Sequence, residues 1–185
     1  MKDESNETPV PTIDHVLSRG ISEVFPSKEY VQKLLESNTP QKVYLGIDPT
    51  GPTLHLGHAI QLKKLQELQK LGHHIILLIG DFTGMIGDPT DKSAARKKLT
   101  RDEVQENAKL YQEQPRTFLS FEGNNPAELR YNTEWHDTLS FSDVLELASL
   151  MTVDQMLKRD MFQKRMEDEK PIYIHGFRYA LIQGY

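Results

Sequence analysis

The feature that most constrains the fold is a pair of short apolar segments separated by one helix's length of chain. Lys42 to Asp48 (KVYLGID) and His74 to Gly80 (HIILLIG) are rich in aliphatic residues and lack polar alternation. Between them, Ala59, Leu62, Leu65 and Leu68 recur at threefold spacing over His55 to Leu71, with Gly72 in the stop position. Near-continuous apolar strands are what parallel sheets require, because crossover helices cover both faces. The order predicts an α/β fold, a Rossmann-like parallel sheet with right-handed crossovers. Leu129 to Asn132 is a possible third strand.

Around this unit, Met1 to Thr12 has no apolar periodicity and reads as a tail. Helical spacing starts at Ile13, and Ser27 can cap a short helix facing inward with Val31, Leu34 and Leu35. A glycine-rich loop is expected from Asp81 to Asp91. Thr100 and Glu103 form a capping box for a helix running to about Phe118. From Ser142 the pattern turns to helix after helix, with a second box at Thr152 and Gln155. Pro171 interrupts it, and a last segment starts near Tyr173. The expected organisation is a tail and lead-in helix over 1–26, a Rossmann-like nucleotide-binding half over 27–141, and a helical insertion with the start of a second half over 142–185. A doubly wound sheet places its first strand centrally. Strands to flank the other side of 42–48 are not among these residues, so a bare edge is expected there, an aggregation hazard. The chain reads as one half of something larger.

Composition narrows the class. The 185 residues carry 22 basic and 27 acidic side chains, a net charge of −5, which argues against a generic nucleic-acid coat. Zero cysteines exclude disulfides, thiolate metal sites and a cysteine nucleophile, and suit a cytoplasmic location. The longest apolar run, Ile75 to Ile79, falls far short of the ~18 residues of a membrane span, so no membrane partner is expected. The polar N-terminus is unlike a secretory signal.

Three segments carry chemistry. The first runs from Asp48 through Thr50, His55 and Gly57 to His58, after a strand and opening a helix. Ligands of open α/β sheets bind beyond the carboxyl ends of the strands, where a helix N-terminus offers N–H groups to phosphate. His55 and His58 share a helix face, and Gly57 leaves room for a base or ribose. Two surface histidines or two zinc ligands are the other readings, although no third ligand stands in a convincing place. The second segment, Gly80 to Lys98, follows the next strand. Asp88 can receive an ammonium, and Lys92 and Arg96, four apart, suit phosphate; a solvated basic loop is the plain alternative. It is no Walker A loop. In the third, Tyr179 and Gln183 lie four apart on one helix face, where a tyrosine is ordinarily half-buried core.

Taken together, Tyr44-Leu-Gly-Ile-Asp48-Pro-Thr50, His55-Leu-Gly-His58, Thr83-Gly-Met-Ile-Gly-Asp88-Pro, Asn132-x-x-Trp135 and Tyr179-x-x-x-Gln183-Gly-Tyr resemble bacterial tyrosyl-tRNA synthetases. His-Leu-Gly-His is similar to the HIGH motif of class I aminoacyl-tRNA synthetases. The resemblance runs from about residue 27 to the end. It implies tyrosine–tRNA ligation: ATP, with Mg²⁺, activates tyrosine, and tRNA(Tyr) receives it. It also implies a homodimer in the full-length protein, with contact through the helical insert. By the same resemblance Thr50 and His55 meet the γ-phosphate end of ATP, His58 the ribose side with Gly57 under the nucleoside, and Lys92 and Arg96 the pyrophosphate. Asp88, Tyr179 and Gln183 hold the tyrosine ammonium and Tyr44 the phenol. Asp48 belongs to the ATP side, and Thr83 and Asn132 line the tyrosine pocket. No protein-held metal is expected.

Two departures bear on this. The family pattern continues Tyr-x-x-x-Gln-x-x-Asp, and that phenol-binding aspartate lies one residue past Tyr185. Gly176, Arg178 and Ala180 stand where the family more often has Glu, Leu and Pro. The isolated chain is therefore expected to be weakly active or inactive. The rival readings are a small adenylyltransferase, for which Tyr44, Tyr179 and Gln183 would be superfluous, and a non-catalytic fragment or split half that binds ATP or a partner chain.

Overall fold

A computed structural model of the chain describes residues 9–86, 99–174 and 181–182. The expected strand–helix–strand unit is present. Strand β1 spans Lys42–Ile47, helix α3 Leu56–Lys70 and strand β2 His74–Ile79. A third strand, β3, covers Glu128–Tyr131, and the sheet order is β1-β2-β3. The strands are parallel. The amide of His74 donates to Gln41 O and that of Gly80 to Ile47 O, so the offset between the strands stays constant along the chain. The amide of Asn132 donates in turn to Ile79 O, extending the register past the end of β3.

The chain divides into two compact units. The first comprises residues 1–45, 54–77 and 112–129. In it α1 (Ile13–Ser18) and α2 (Lys28–Leu35) precede β1. Ser27 caps α2 by accepting from the Tyr30 amide, as expected, but Leu34 of its apolar face stays exposed and only Leu35 is buried. Leu62, Leu65 and Leu68 of α3 pack inward with Ile75 and Leu77 of β2, Val16 and Leu119. Helix α3 ends as its sequence predicts: Gly72 takes φ +89°, and the His73 amide reaches back to Leu68 O.

The second unit comprises 46–53, 78–111 and 130–185. A helical turn, α4 (Thr83–Ile86), follows β2 where the sequence suggested only loop. Helix α5 is Arg101–Glu113, opened by the Thr100–Glu103 box: the Thr100 amide donates to Glu103 Oε2 at 2.8 Å, and the Glu103 amide to Thr100 Oγ1 at 3.2 Å. It stops five residues short of Phe118. Pro115 has no amide proton, and the chain tightens into a 3₁₀ turn over Gln114–Thr117. Beyond β3 come α6 (Thr133–His136), α7 (Phe141–Ser149), α8 (Val153–Leu157) and α9 (Asp160–Glu167). The Thr152–Gln155 box opens α8 as expected, and a Ser140–Asp143 box that the sequence reading overlooked opens α7. Val104, Tyr111, Met156 and Phe162 form this unit's core.

One expectation needs correction. Strand β1 is not enclosed on both faces: Lys42, Tyr44 and Gly46 are exposed while β2 alternates buried and half-buried residues. Among the described residues β1 is an edge strand of the sheet, as the sequence led one to expect.

Candidate active site

Strand ends, a turn and a helix start carry the candidate residues, which fall into two groups. In the first unit His55 is the N-cap of α3, with extended backbone at φ −114° and ψ 177°. Its amide donates to Nδ1 of His58 at 3.2 Å, and the two rings stack with centroids 3.9 Å apart. Because Nδ1 of His58 accepts, the neutral ring carries its proton on Nε2, an N–H donor. Burial, then the neighbouring His55, holds the His58 pKa below the ordinary imidazole value. His58 is thus a neutral donor near pH 7. The chain entering this turn is fixed by Gln114, whose Oε1 accepts from the Leu54 amide at 2.7 Å. A β-carbon at Gly57 would stand 3.0 Å from the ring of His55, so part of the room that glycine gives is taken by that imidazole. A cavity of about 450 Å³ borders His55, lined also by Leu54, Ala59, Leu62 and Phe118.

Tyr44 lies in the same unit but in a different groove. It is 68% exposed and lines an apolar hollow of about 610 Å³ with Val43, Leu45, Leu56, Ala59 and Ile60.

In the second unit Asp48 directly follows the last residue of β1, Ile47. The Thr50 amide turns back to Asp48 O at 2.8 Å, and Asn107 Nδ2 donates to Pro49 O at 3.0 Å. Thr83 Oγ1 donates to Asp48 Oδ1 at 2.7 Å, and Asn132 Nδ2 donates to Thr83 Oγ1 at 2.9 Å. Asn132 Oδ1 accepts from the Phe82 amide at 2.8 Å. Asp81 binds both the amide and the hydroxyl of Thr133, at 3.0 and 2.7 Å. Asp48, Thr83 and Asn132, scattered over the sequence, therefore form one hydrogen-bonded chain.

Sequence reasoning missed Asn107 and Gln114, and it gave Gly80 and Asp81 no role beyond opening the second segment. Only Gly80-Asp81 had a signal, a small and an acidic residue at the end of an apolar strand. Asp88, Lys92, Arg96, Tyr179 and Gln183 lie outside the described residues. No group of three or more His, Cys, Asp or Glu arranged to hold a metal occurs among the described residues. No helix among them is long and apolar enough to cross a membrane.

A family model described as tRNA synthetases class I (W and Y) matches residues 36–185. The chain belongs to that family. A tyrosine–tRNA ligase from Thiobacillus denitrificans is 51% identical over 171 residues, covering 91% of this chain and 42% of that protein. One from Synechococcus sp. (strain JA-2-3B'a(2-13)) is 46% identical over 177 residues, covering 95% and 43%. The chain thus spans about two-fifths of the length of these synthetase relatives. Among solved structures, a C-terminally truncated mitochondrial tyrosyl-tRNA synthetase of Aspergillus nidulans matches with TM-score 0.76 at 22% identity, over 92% of this chain and 51% of that one. A tyrosyl-tRNA synthetase of Archaeoglobus fulgidus, complexed with L-tyrosine, matches with TM-score 0.68, also at 22% identity, over 93% and 50%. At that identity these two structures establish the class I synthetase fold of the chain.

Proposed function

We propose that these residues are the nucleotide-binding half of a tyrosine–tRNA ligase, which joins tyrosine to ATP and passes it to tRNA(Tyr). The observation that carries this reading is the stacked His55–His58 pair at the start of α3, directly after β1, within the segment matched by the synthetase family. In the activation step a carboxylate oxygen of tyrosine attacks the α-phosphorus. A phosphorus–oxygen bond forms, the bond to the β-phosphate oxygen breaks, and pyrophosphate leaves with its electron pair. A carboxylate is already ionised at neutral pH, so no general base is needed. Acceleration then comes from alignment and from donors that meet the charge growing on pyrophosphate.

The residue types suit that task. Thr50 and His55 would serve the terminal phosphate, His58 the ribose side, and Asp48 the nucleoside. Lys92 and Arg96 would close on pyrophosphate, while Asp88, Tyr179 and Gln183 would take the ammonium and Tyr44 the phenol. Mg²⁺ would enter as part of the ATP substrate, held by its phosphates. Tyrosine-dependent ATP–pyrophosphate exchange is the test. Exchange supported equally by phenylalanine, or independent of any amino acid, would overturn the reading. Exchange by the 185 residues alone is expected to be weak, because the second phenol-binding aspartate of the family pattern is not among them.

Homodimerisation is proposed through the helices after β3. Helix α7 buries none of its residues, and Phe141, Leu145, Leu150 and Val153 are all more than half exposed. A second reading, a half that pairs with a separate chain, is favoured by the place of β1 at the edge of the sheet among the described residues and by exposed Leu56 and Ile60. Light scattering, with and without a chain supplying the remaining length of a relative, separates the two.

A further inference from the structure

We propose that Thr83 and Asn132 are positioning residues that act through the Asp48 carboxylate, and that Gly80 provides the space this carboxylate occupies. The inference rests on the reading of Asp48 as an ATP-binding residue. The direction of the chain is settled by its ends. Asn132 Oδ1 is committed to the Phe82 amide, so its Nδ2 faces Thr83. Thr83 Oγ1 receives that N–H, and its single proton goes to Asp48 Oδ1. Each donor polarises the next towards the carboxylate.

The two intermediates are buried, which favours an indirect role. Thr83 is 2% exposed and Asn132 5% exposed, and both spend their polar atoms on this chain. Asp48 is half-buried at the end of β1 and is the member that can face a ligand. A β-carbon placed on Gly80 would overlap Asp48 Oδ1 and crowd Thr83 Oγ1, so the carboxylate rests against the bare backbone of the β2 end. A carboxylate fixed in this way recognises a hydrogen-bond donor, and the ribose hydroxyls of ATP are such donors.

The test is equilibrium binding of ATP with Mg²⁺, and separately of L-tyrosine, to the 185-residue chain and its variants. Thr83→Val is expected to weaken ATP about tenfold, the scale of one hydrogen bond to a charged group, with tyrosine unaffected. Thr83→Ser should restore ATP affinity. Asn132→Asp, which removes the donor and offers Thr83 a competing carboxylate, should weaken ATP similarly. Asp48→Asn combined with Thr83→Val should be no weaker than Asp48→Asn alone, because the threonine acts only through the carboxylate. Unchanged ATP affinity in Thr83→Val, losses that add in the double variant, or a loss confined to tyrosine would each overturn the proposal. If the unaltered chain takes up no ATP, the assignment of Asp48 to ATP fails separately. The Asp48 carboxyl ¹³C signal then decides the positioning itself: it must move in Thr83→Val and return in Thr83→Ser, and a signal that stays put refutes it.

Discussion

The backbone amide of His55 donates to Nδ1 of His58, and the two imidazoles stack at 3.9 Å. The pair proposed to meet ATP therefore also builds the first turn of α3. Its rings are held by the helix they start, so the donors are in place before a ligand arrives and cost no ordering at the moment of reaction.

His58→Ala removes both services. Loss of the capping contact should cost α3 ~1 kcal/mol, by analogy with other N-terminal caps. Amide exchange of His55 and its neighbours should speed up by about the corresponding fivefold. In an active full-length ligase the same change should slow tyrosine-dependent exchange by ~2.7–4 kcal/mol of barrier. His58→Asn, which keeps a side-chain acceptor for the His55 amide, should retain the protection. Equal amide exchange in His58→Ala and the unaltered chain would remove the capping role.

Two buried histidines make stability depend on pH. His73 accepts from the Gln41 amide through Nδ1, and burial lowers its pKa. Burial also lowers that of His136, against an opposing pull from Asp137 and Asp81. In both cases the unfolded chain binds a proton more readily than the folded one. Their contribution is therefore complete above the ordinary value of 6.5 and is lost as pH falls from there through the lowered folded values. Melting temperature should drop between neutral pH and pH 5, and His73→Gln should flatten the slope. A melting temperature flat over that interval contradicts the assignment.

Gly80→Ala should destabilise the chain, because the added methyl displaces Asp48 from Thr83. Overpacking at a closed position typically costs ~1–3 kcal/mol. Urea unfolding reads this directly. A midpoint unchanged from the unaltered chain would mean that the strand end yields without strain.

Leu145→Glu tests the exposed face of α7. The side chain is 56% exposed, so far-UV circular dichroism should be unchanged. The weight-average mass of a dimeric protein should fall towards monomer, since a charge in an apolar contact is desolvated without a partner. A dimer that survives the substitution uses another surface.

Much of this was legible along the chain because it is local. The capping boxes at Thr100 and Thr152 and the helix stop at Gly72 are fixed by residues three to five apart, and each formed where the spacing placed it. The early end of α5 at Glu113 is equally local, since Pro115 has no amide proton to continue the helix; a capping box marks where a helix starts and says nothing of where it stops. The exposure of Tyr44 depends on what packs against its face of β1, which no local window contains.

The sequence by itself determined the strand–helix–strand unit, the histidine pair at the start of α3 and membership of a synthetase family, since periodicity, caps and short motifs are properties of neighbouring residues. Tertiary structure alone decided that Asp48, Thr83 and Asn132 form a single hydrogen-bonded chain against Gly80. Those residues are 35 and 49 positions apart, and only the register of parallel strands brings their side chains within 3 Å. Hydrogen bonds need that proximity, and strand pairing over long separations is set by the packing of the whole sheet.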